Sequence, residues 1–316
     1  MSDLLDLAGL DIPSPAQLDA EATLKIYQAL RPILPLARPA PNQKAARLTD
    51  CMDAFDAFIL DGFGVINVGM DKIDGIDEFF KRAEVAGKPV VILTNGASAP
   101  SAVVAEKYQR WGLPVTSQHI VSSRDALVSA LPAADLRAEF LQLDCNTQLI
   151  SGLASSANAS SDLFDTVKGF VFLGSSGWNE DDQALLEQSL LQRMRPVIVG
   201  NPDVSAPKQN HFSAEPGYWM ARAIKAVPGL RPQWFGKPYL PAFKLAVEKI
   251  NQLSAVVVAN HRIAMVGDSL HTDILGGAAA GLGTILITNY GLLRAHDADQ
   301  LCSEMQIFPD WQVRLI

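Results

Sequence analysis

The chain has 316 residues, of which 48% are hydrophobic and 19% are charged, a composition typical of globular proteins and a length that favours two domains. Its formal net charge of −8 argues against nucleic acid and acidic membrane surfaces as partners, because neither would attract it. Its three cysteines cannot form an even-numbered disulfide framework, and no CxxC pair indicates a zinc site.

Residues 1–50 are predicted to be an N-terminal helical extension. The opening sequence MSDLLDLAGLDIP carries acids where a signal peptide needs positive charge, and no apolar run along the chain is long enough to cross a bilayer. We therefore expect a cytoplasmic protein. Ser14-Pro15-Ala16-Gln17 has the pattern of a capping box and predicts a helix through Leu30, which the proline-rich sequence RPILPLARPAP ends.

From Ala57 the chain alternates apolar runs with helical segments, which predicts an α/β fold with a Rossmann-like parallel sheet. The runs are continuously apolar, as expected for strands buried on both faces. The predicted strands are 57–61, 89–94, 169–174, 195–200, 262–267 and 283–288. Crossover helices are predicted from Pro100 to Trp111 and from Glu180 to Met194, whereas the small residues of 153–162 predict a loop.

Four polar segments are predicted to end or follow strands: 61–66, 94–96, 236–238 and 267–273. In an open parallel sheet, ligands bind beyond the carboxyl ends of the strands. We therefore expect the polar side chains of these segments to converge in one crevice.

The carboxylates in these segments suit nucleophilic attack on phosphorus, with formation of an aspartyl-phosphate and with Mg²⁺ neutralising the phosphate oxygens. Asp61 is the predicted nucleophile. Mg²⁺ prefers oxygen ligands, so Asp61, the backbone carbonyl of Phe63 and Asp268 are predicted to hold it. Asp273 is a further predicted ligand or a partner of the ligands, and helix capping is a less favoured alternative role for it.

The remaining polar groups have predicted roles around the phosphate. Lys237 would position the phosphate and restrain the Asp61 carboxylate, and Thr94 offers a hydroxyl. Asn95 and Gly96 offer backbone donors. His271 could act as a proton shuttle, but packing or solvation is the commoner role for such a histidine.

The ordered set of motifs resembles the haloacid dehalogenase-like superfamily, and the distances between motifs resemble its class IIA, the nitrophenylphosphatase and sugar-phosphatase-like group. The resemblance covers roughly Ala57 to Gly291. It implies a Rossmann-like core at 51–121 and 208–316 and an inserted α/β cap at 122–207. The sequence Gly200-Asn201-Pro202-Asp203 looks like the Thr-Asn-Pro-Asp element of such caps, which makes Asn201 and Asp203 candidate substrate-side residues.

Phe63 departs from the superfamily pattern, because the phosphatases usually carry a second aspartate two residues after the nucleophile. That aspartate is the general acid and base, which is typically worth about 10²–10⁴-fold in rate. The chain resembles a branch of class IIA with an aromatic residue at this position. The implied function is a Mg²⁺-dependent, phosphatase-like hydrolase of a small phosphorylated metabolite, restricted to good leaving groups such as aryl or acyl phosphates.

Two alternatives stay open at this point. A catalytically weak or inactive protein could bind a phospho-ligand through the preserved site. A C–P hydrolase would need a cap lysine, and neither Lys168 nor Lys208 stands in a position that nominates it. The sequence identifies neither the substrate nor the oligomeric state, and a homo-oligomer is compatible with it.

Overall fold

The computed structural model describes residues 7, 9–133, 136–143, 147–156, 161–208 and 211–316. The strands are β1 (Gln43–Arg47), β2 (Ala57–Leu60), β3 (Asn67–Val68), β4 (Asp71–Lys72), β5 (Val90–Thr94), β6 (Ile120–Ser122), β7 (Phe140–Leu143), β8 (Ala154–Ser155), β9 (Gly169–Phe172), β10 (Val197–Val199), β11 (Ser205–Pro207), β12 (Phe212–Ala214), β13 (Gln233–Trp234), β14 (Ile263–Gly267), β15 (Gly283–Ile287) and β16 (Trp311–Leu315). The α-helices are α1 (Ala20–Ala29), α2 (Ile76–Val85), α3 (Ser101–Arg110), α4 (Ser123–Val128), α5 (Ser161–Thr166), α6 (Glu180–Gln192), α7 (Pro216–Ala226), α8 (Leu240–Leu253), α9 (Leu275–Ala279) and α10 (Ala298–Met305). A π-helical turn, Leu270–Ile274, precedes α9.

The larger sheet has the strand order β1-β16-β15-β14-β2-β5-β6, and each neighbouring pair is parallel. The central strands β2 and β14 are buried along their whole length, as their continuous apolar runs predict. All six predicted strands are present, and the α/β fold with a parallel sheet is confirmed.

A second sheet has the order β13-β10-β9-β7-β8 and is also parallel. The predicted cap ends at 207, but β13 pairs with β10 beyond that limit. We propose that the inserted unit runs from the end of α4 to β13, roughly 129–234. Ala154 and Ser155 form β8, so the predicted loop at 153–162 is wrong there, and 157–160 lie outside the described residues.

Helix α6 follows the sequence prediction closely. The Asn179 side chain accepts hydrogen bonds from the backbone N–H groups of Asp181 (2.8 Å) and Asp182 (3.2 Å). These bonds satisfy two of the free donors at the start of a helix. The helix of the N-terminal extension differs from its prediction, because Asp19 caps α1 through a 2.8 Å bond from Ala22 N. Ser14 precedes only a short 3₁₀ turn.

The N-terminal extension also contributes a strand, since β1 pairs with β16 at the edge of the larger sheet. The extension is therefore part of the core sheet as well as helical. No helix in the described part of the chain is both long and apolar enough to span a membrane.

Candidate active site

Three aspartates meet at the carboxyl edge of the larger sheet. Asp61 follows β2 directly, and Asp268 follows β14. One oxygen atom from each of Asp61, Asp268 and Asp273 lies within 4.8 Å of the others. The convergence that the sequence predicts for these carboxylates is therefore present.

Lys237 lies at the centre of this cluster. Its Nζ is 2.7 Å from Asp61 Oδ1 and 2.6 Å from Asp273 Oδ1, and its side chain is only 2% exposed. Burial by itself would lower the pKa of Lys237, but the charges of Asp273, Asp61 and Asp203 raise it above its ordinary value. The ammonium group is therefore held in its charged form between two carboxylates.

For Asp268 and Asp273, in contrast to Lys237, the surroundings disfavour the charged form. Burial raises the pKa of both carboxyls, and for Asp268 the negative charges of Asp273 and Asp61 raise it further. A buried carboxylate group is stabilised by a cation, and a single lysine leaves this three-aspartate cluster with excess negative charge. The all-oxygen donor set and its close spacing fit a hard divalent cation such as Mg²⁺.

The backbone around Asp268 leaves room for its carboxylate and binds it. Leu292 N donates to Asp268 Oδ2 at 3.0 Å, and Ser269 Oγ donates to Oδ1 at 3.1 Å. Gly291 and Gly64 have φ values of +71° and +75°. A Cβ at either glycine would overlap the Asp268 carboxylate. These two loops can therefore close on Asp268 only without side chains.

No side chain caps the start of α9, so Asp273 does not have the capping role that the sequence left open. Its Oδ2 accepts a hydrogen bond from Ser269 N at 3.1 Å, while its Oδ1 faces the Lys237 ammonium group. The carboxylate therefore fixes the turn after β14 and pairs with the buried cation.

The Asn95 side chain links the segments around Lys237 and Ser123 by hydrogen bonds. Lys237 N donates to Asn95 Oδ1 at 2.6 Å, and Asn95 Nδ2 donates to Lys237 O at 3.0 Å. Asn95 Oδ1 also accepts from Ser123 Oγ at 2.8 Å. The sequence predicted backbone donors here, and Gly96 N in fact donates to Thr94 Oγ1 at 3.1 Å. The side-chain role of Asn95 and the contribution of Ser123 were missed, although Ser123 directly follows a strand.

Asn201 and Asp203 lie in the loop before β11. Asn201 Oδ1 accepts from Asp203 N at 3.0 Å, and its Nδ2 donates to Glu215 Oε2 at 3.2 Å, so the Asn201 side chain holds this loop together. Asp203 Oδ1 accepts from Asn95 Nδ2 at 2.8 Å, which brings it next to the Lys237 segment. Burial, reinforced by the nearby Asp61 and Glu215 charges, raises the pKa of Asp203 to about 7.

Two residues near Asp61, Tyr108 and Lys107, were not predicted. Tyr108 crowds the loop after β2, since a Cβ at Gly62 would be 2.7 Å from its hydroxyl oxygen. Lys107 Nζ donates to Asn67 Oδ1 at 3.0 Å. Both residues lie inside α3 rather than at the end of a strand, so the criterion used to select site residues from the sequence did not include them.

His271 is 1% exposed, and burial lowers its pKa to about 3. Its ring stacks on Tyr27, with a centroid separation of 4.9 Å and an interplanar angle of 4°. These contacts indicate a packed, neutral histidine, the commoner of the two readings of the sequence. No signal in the N-terminal extension predicted that Tyr27 reaches this turn.

Two family models match separate parts of the chain. One, described as haloacid dehalogenase-like hydrolase, matches residues 58–143, and a second, described as HAD-hydrolase-like, matches residues 234–311. The acid sugar phosphatase of Staphylococcus aureus strain MRSA252 is 27% identical over 244 residues, covering 74% of this chain and 86% of the relative.

Solved structures agree with this family. A possible sugar phosphatase of the HAD superfamily from Cytophaga hutchinsonii has a TM-score of 0.75 and 25% identity, covering 87% of this chain and 98% of the other. The p-nitrophenyl phosphatase from Archaeoglobus fulgidus has a TM-score of 0.62 and 19% identity, with coverage of 82% and 95%. At that identity the second likeness shows a shared fold.

Proposed function

We propose that this chain, a phosphoric-ester hydrolase belonging to class IIA of the haloacid dehalogenase-like superfamily, hydrolyses a small phosphorylated metabolite through a phospho-intermediate on Asp61. The observation that carries the proposal is the buried Lys237 ammonium group, paired with both Asp61 and Asp273 beside Asp268. A carboxylate held next to a fixed cation is oriented for attack.

The proposed first step is attack of an Asp61 carboxylate oxygen on phosphorus, which breaks the bond to the leaving oxygen and gives an aspartyl-phosphate. Water then attacks the same phosphorus, releases inorganic phosphate and restores the carboxylate. Mg²⁺ held by Asp61, Asp268, Asp273 and the Phe63 carbonyl would neutralise charge on the phosphate oxygens. Lys237 supplies a second, permanent positive charge.

The two flanking segments complete the proposed phosphate site. Thr94 and the backbone N–H group of Asn95 are proposed to bind phosphate oxygens, whereas the Gly96 N–H donates to Thr94 Oγ1 and orients that hydroxyl. The loop containing Asn201 and Asp203 is proposed to face the rest of the substrate, because Asp203 is hydrogen-bonded to Asn95 across the two units.

Phe63 sets the proposed substrate preference. Its side chain cannot donate a proton to the leaving oxygen or activate water, so substrates whose leaving group departs without protonation should react fastest. The relatives include proteins named as nitrophenyl and as sugar phosphatases. For this chain we propose that aryl and acyl phosphates are turned over faster than sugar phosphates.

The proposal is tested by measuring phosphate release from an aryl phosphate with Mg²⁺, using the wild type and Asp61→Asn in parallel. We expect activity in the wild type and none above background in the variant, because an amide cannot act as the nucleophile. Equal activity in both preparations would reject Asp61 as the nucleophile. Turnover of glycerol phosphate as fast as the aryl phosphate would reject the leaving-group preference.

Phe63 also favours a second candidate function, that of a protein which binds a phospho-ligand without hydrolysing it. This function predicts that a phosphorylated ligand raises the melting temperature in Mg²⁺ while no phosphate is released, since a ligand that binds only the folded state stabilises it. Thermal unfolding and phosphate release measured on the same samples separate the two functions.

We also propose a cytoplasmic setting, with no nucleic acid or membrane partner. Cys51 and Cys302 are buried free thiols, which suit a reducing compartment. The net charge of −8 disfavours binding to polyanions.

A further inference from the structure

The N-terminal segment, defined here as residues 9–47, contacts both the inserted unit and the core. Tyr218 Oη of the inserted unit donates to Pro13 O at 2.7 Å. On the core side, Arg38 Nη2 is 2.6 Å from Asp310 Oδ2, and β1 adds a strand to the larger sheet. The segment therefore bridges the inserted unit and the core through its own contacts. These contacts are separate from the two places where the chain passes between the core and the inserted unit.

Tyr27 is the residue of this segment that reaches the active-site loops. It is 4% exposed, and its hydroxyl oxygen accepts a hydrogen bond from Val204 N at 3.1 Å. Its ring lies parallel to that of His271, 4.9 Å away between centroids. One turn earlier in α1, Thr23 Oγ1 is 2.8 Å from Ser205 Oγ, so the contact with the inserted unit is doubled.

The two neighbours of Tyr27 belong to the proposed catalytic machinery by position. Val204 follows Asp203, whose carboxylate is bonded to Asn95. His271 lies in the turn between Asp268 and Asp273, both members of the aspartate cluster. A single side chain thus contacts the substrate-side loop with its hydroxyl and the metal-side turn with its ring.

We propose that Tyr27 is a positioning residue, which fixes the loop at 201–204 relative to the turn at 268–273 and thereby sets the geometry between substrate and nucleophile. This inference rests on the proposed phosphatase function for its kinetic consequence. Its structural basis is independent, because Val204 N is a buried donor whose acceptor is the Tyr27 hydroxyl. A buried donor left without an acceptor is costly, so the loop should shift or open when the hydroxyl is removed.

The test compares Tyr27→Phe with Tyr218→Phe. Each substitution removes one hydrogen bond between the N-terminal segment and the inserted unit and leaves the ring in place. Tyr218 bonds to Pro13 rather than to an active-site loop, so it is the matched control. For an aryl phosphate we expect kcat/KM to fall roughly 3- to 10-fold in Tyr27→Phe, mainly through KM, and less than about twofold in Tyr218→Phe.

Hydrogen exchange gives a readout that does not depend on activity. The Val204 amide should exchange about tenfold faster or more in Tyr27→Phe and be unchanged in Tyr218→Phe. Thr23→Val, which removes the neighbouring bond to Ser205, should also loosen the loop and serves if Tyr27→Phe does not fold.

Equal kinetic losses in the two tyrosine variants, or unchanged Val204 exchange in Tyr27→Phe, would overturn the proposal. If the wild type releases no phosphate, the proposed function fails instead, and the exchange rates alone decide the role of Tyr27.

Discussion

Phe63 is the residue that most separates this chain from an ordinary phosphatase of its superfamily. Phe63→Asp should restore a proton donor while leaving the backbone carbonyl in place. We expect turnover of an alkyl phosphate such as glycerol phosphate to rise by about 10² or more, with a much smaller gain on aryl phosphates, because general acid catalysis matters most for poor leaving groups.

Steady-state phosphate release on both substrate classes checks this prediction. Phe63→Asn is the matched control, since it has nearly the size of Asp but no carboxyl. A similar gain in Phe63→Asn, or an equal gain on both substrates, would show that proton donation is not the missing function.

Asp203 makes stability depend on pH. Its folded pKa of about 7 lies above the ordinary 3.8, so the folded state holds the proton more tightly and the free energy of unfolding falls as pH rises between these values. Asp203→Asn removes this term. Relative to the wild type, we expect the variant to gain on the order of 1–3 kcal/mol between about pH 4 and pH 8.

Urea unfolding in the presence of a chelator, at both pH values, measures that difference. Comparing the variant with the wild type cancels the titration of Asp268 and Asp273. A difference in unfolding free energy that is the same at both pH values would mean that the Asp203 carboxyl keeps an ordinary pKa.

For single residues, the sequence allows prediction of those whose positions are set by the end of a strand. Asp61 and Asp268 could be placed together because parallel strands deliver them to one edge. The side chain of Asn95 could not be assigned, since its three partners come from three distant segments. The contact of Tyr27 with the turn at 270–274 could not be predicted for the same reason, because no local sequence pattern relates α1 to that turn.

The loop after β15 shows how a backbone conformation supports the site. Gly291→Ala places a Cβ into the Asp268 carboxylate at a φ of +71°. Gly229→Ala is the matched control, with a φ of +87° and no atom within 4 Å of the added Cβ. We expect about 1 kcal/mol of destabilisation from backbone strain in Gly229→Ala and clearly more in Gly291→Ala.

Only Gly291→Ala should also weaken Mg²⁺ binding, because its clash displaces a proposed ligand. Urea unfolding and the Mg²⁺-dependent shift in melting temperature measure the two effects. Equal unfolding energies and equal Mg²⁺ responses in the two variants would contradict the proposed close fit around Asp268.

Elements were predictable where burial on both faces leaves a continuous apolar run, as in β2 and β14. The predicted start of a helix was wrong where two nearby residues could both serve as the N-cap. Ser14 and Asp19 are both good N-cap residues, and the helix begins after the second. The two-residue strand β8 has small residues and no apolar run, so its pairing with β7 comes only from the neighbouring sheet.

At the scale of the whole molecule, one hydrophobic cluster joins three parts of the chain. It contains Leu24 and Ile26 of the N-terminal segment, Phe172 of the inserted unit, and Leu275 and Leu286 of the core. Deleting residues 1–41 would uncover this surface while keeping β1. We expect the deletion variant to aggregate, because exposed apolar patches of this kind drive association.

Soluble yield and light scattering test this expectation. A deletion variant that stays monodisperse and as active as the full chain would show that residues 1–41 are dispensable. The sequence marks the motifs of the core, but it does not indicate that β13 pairs with β10, because this pairing depends on contacts formed only on folding. The C-terminal limit of the inserted unit therefore could not be predicted from the sequence.

Trapping the proposed phospho-intermediate tests the role of Asp61 most directly. Wild type and Asp61→Asn would be mixed with an aryl phosphate and Mg²⁺, quenched in acid within a turnover, and analysed by peptide mass spectrometry. We expect a phosphate adduct on Asp61 in the wild type and none in the variant. An adduct on another residue, or wild-type turnover that Asp61→Asn retains in full, would contradict the proposed role of Asp61.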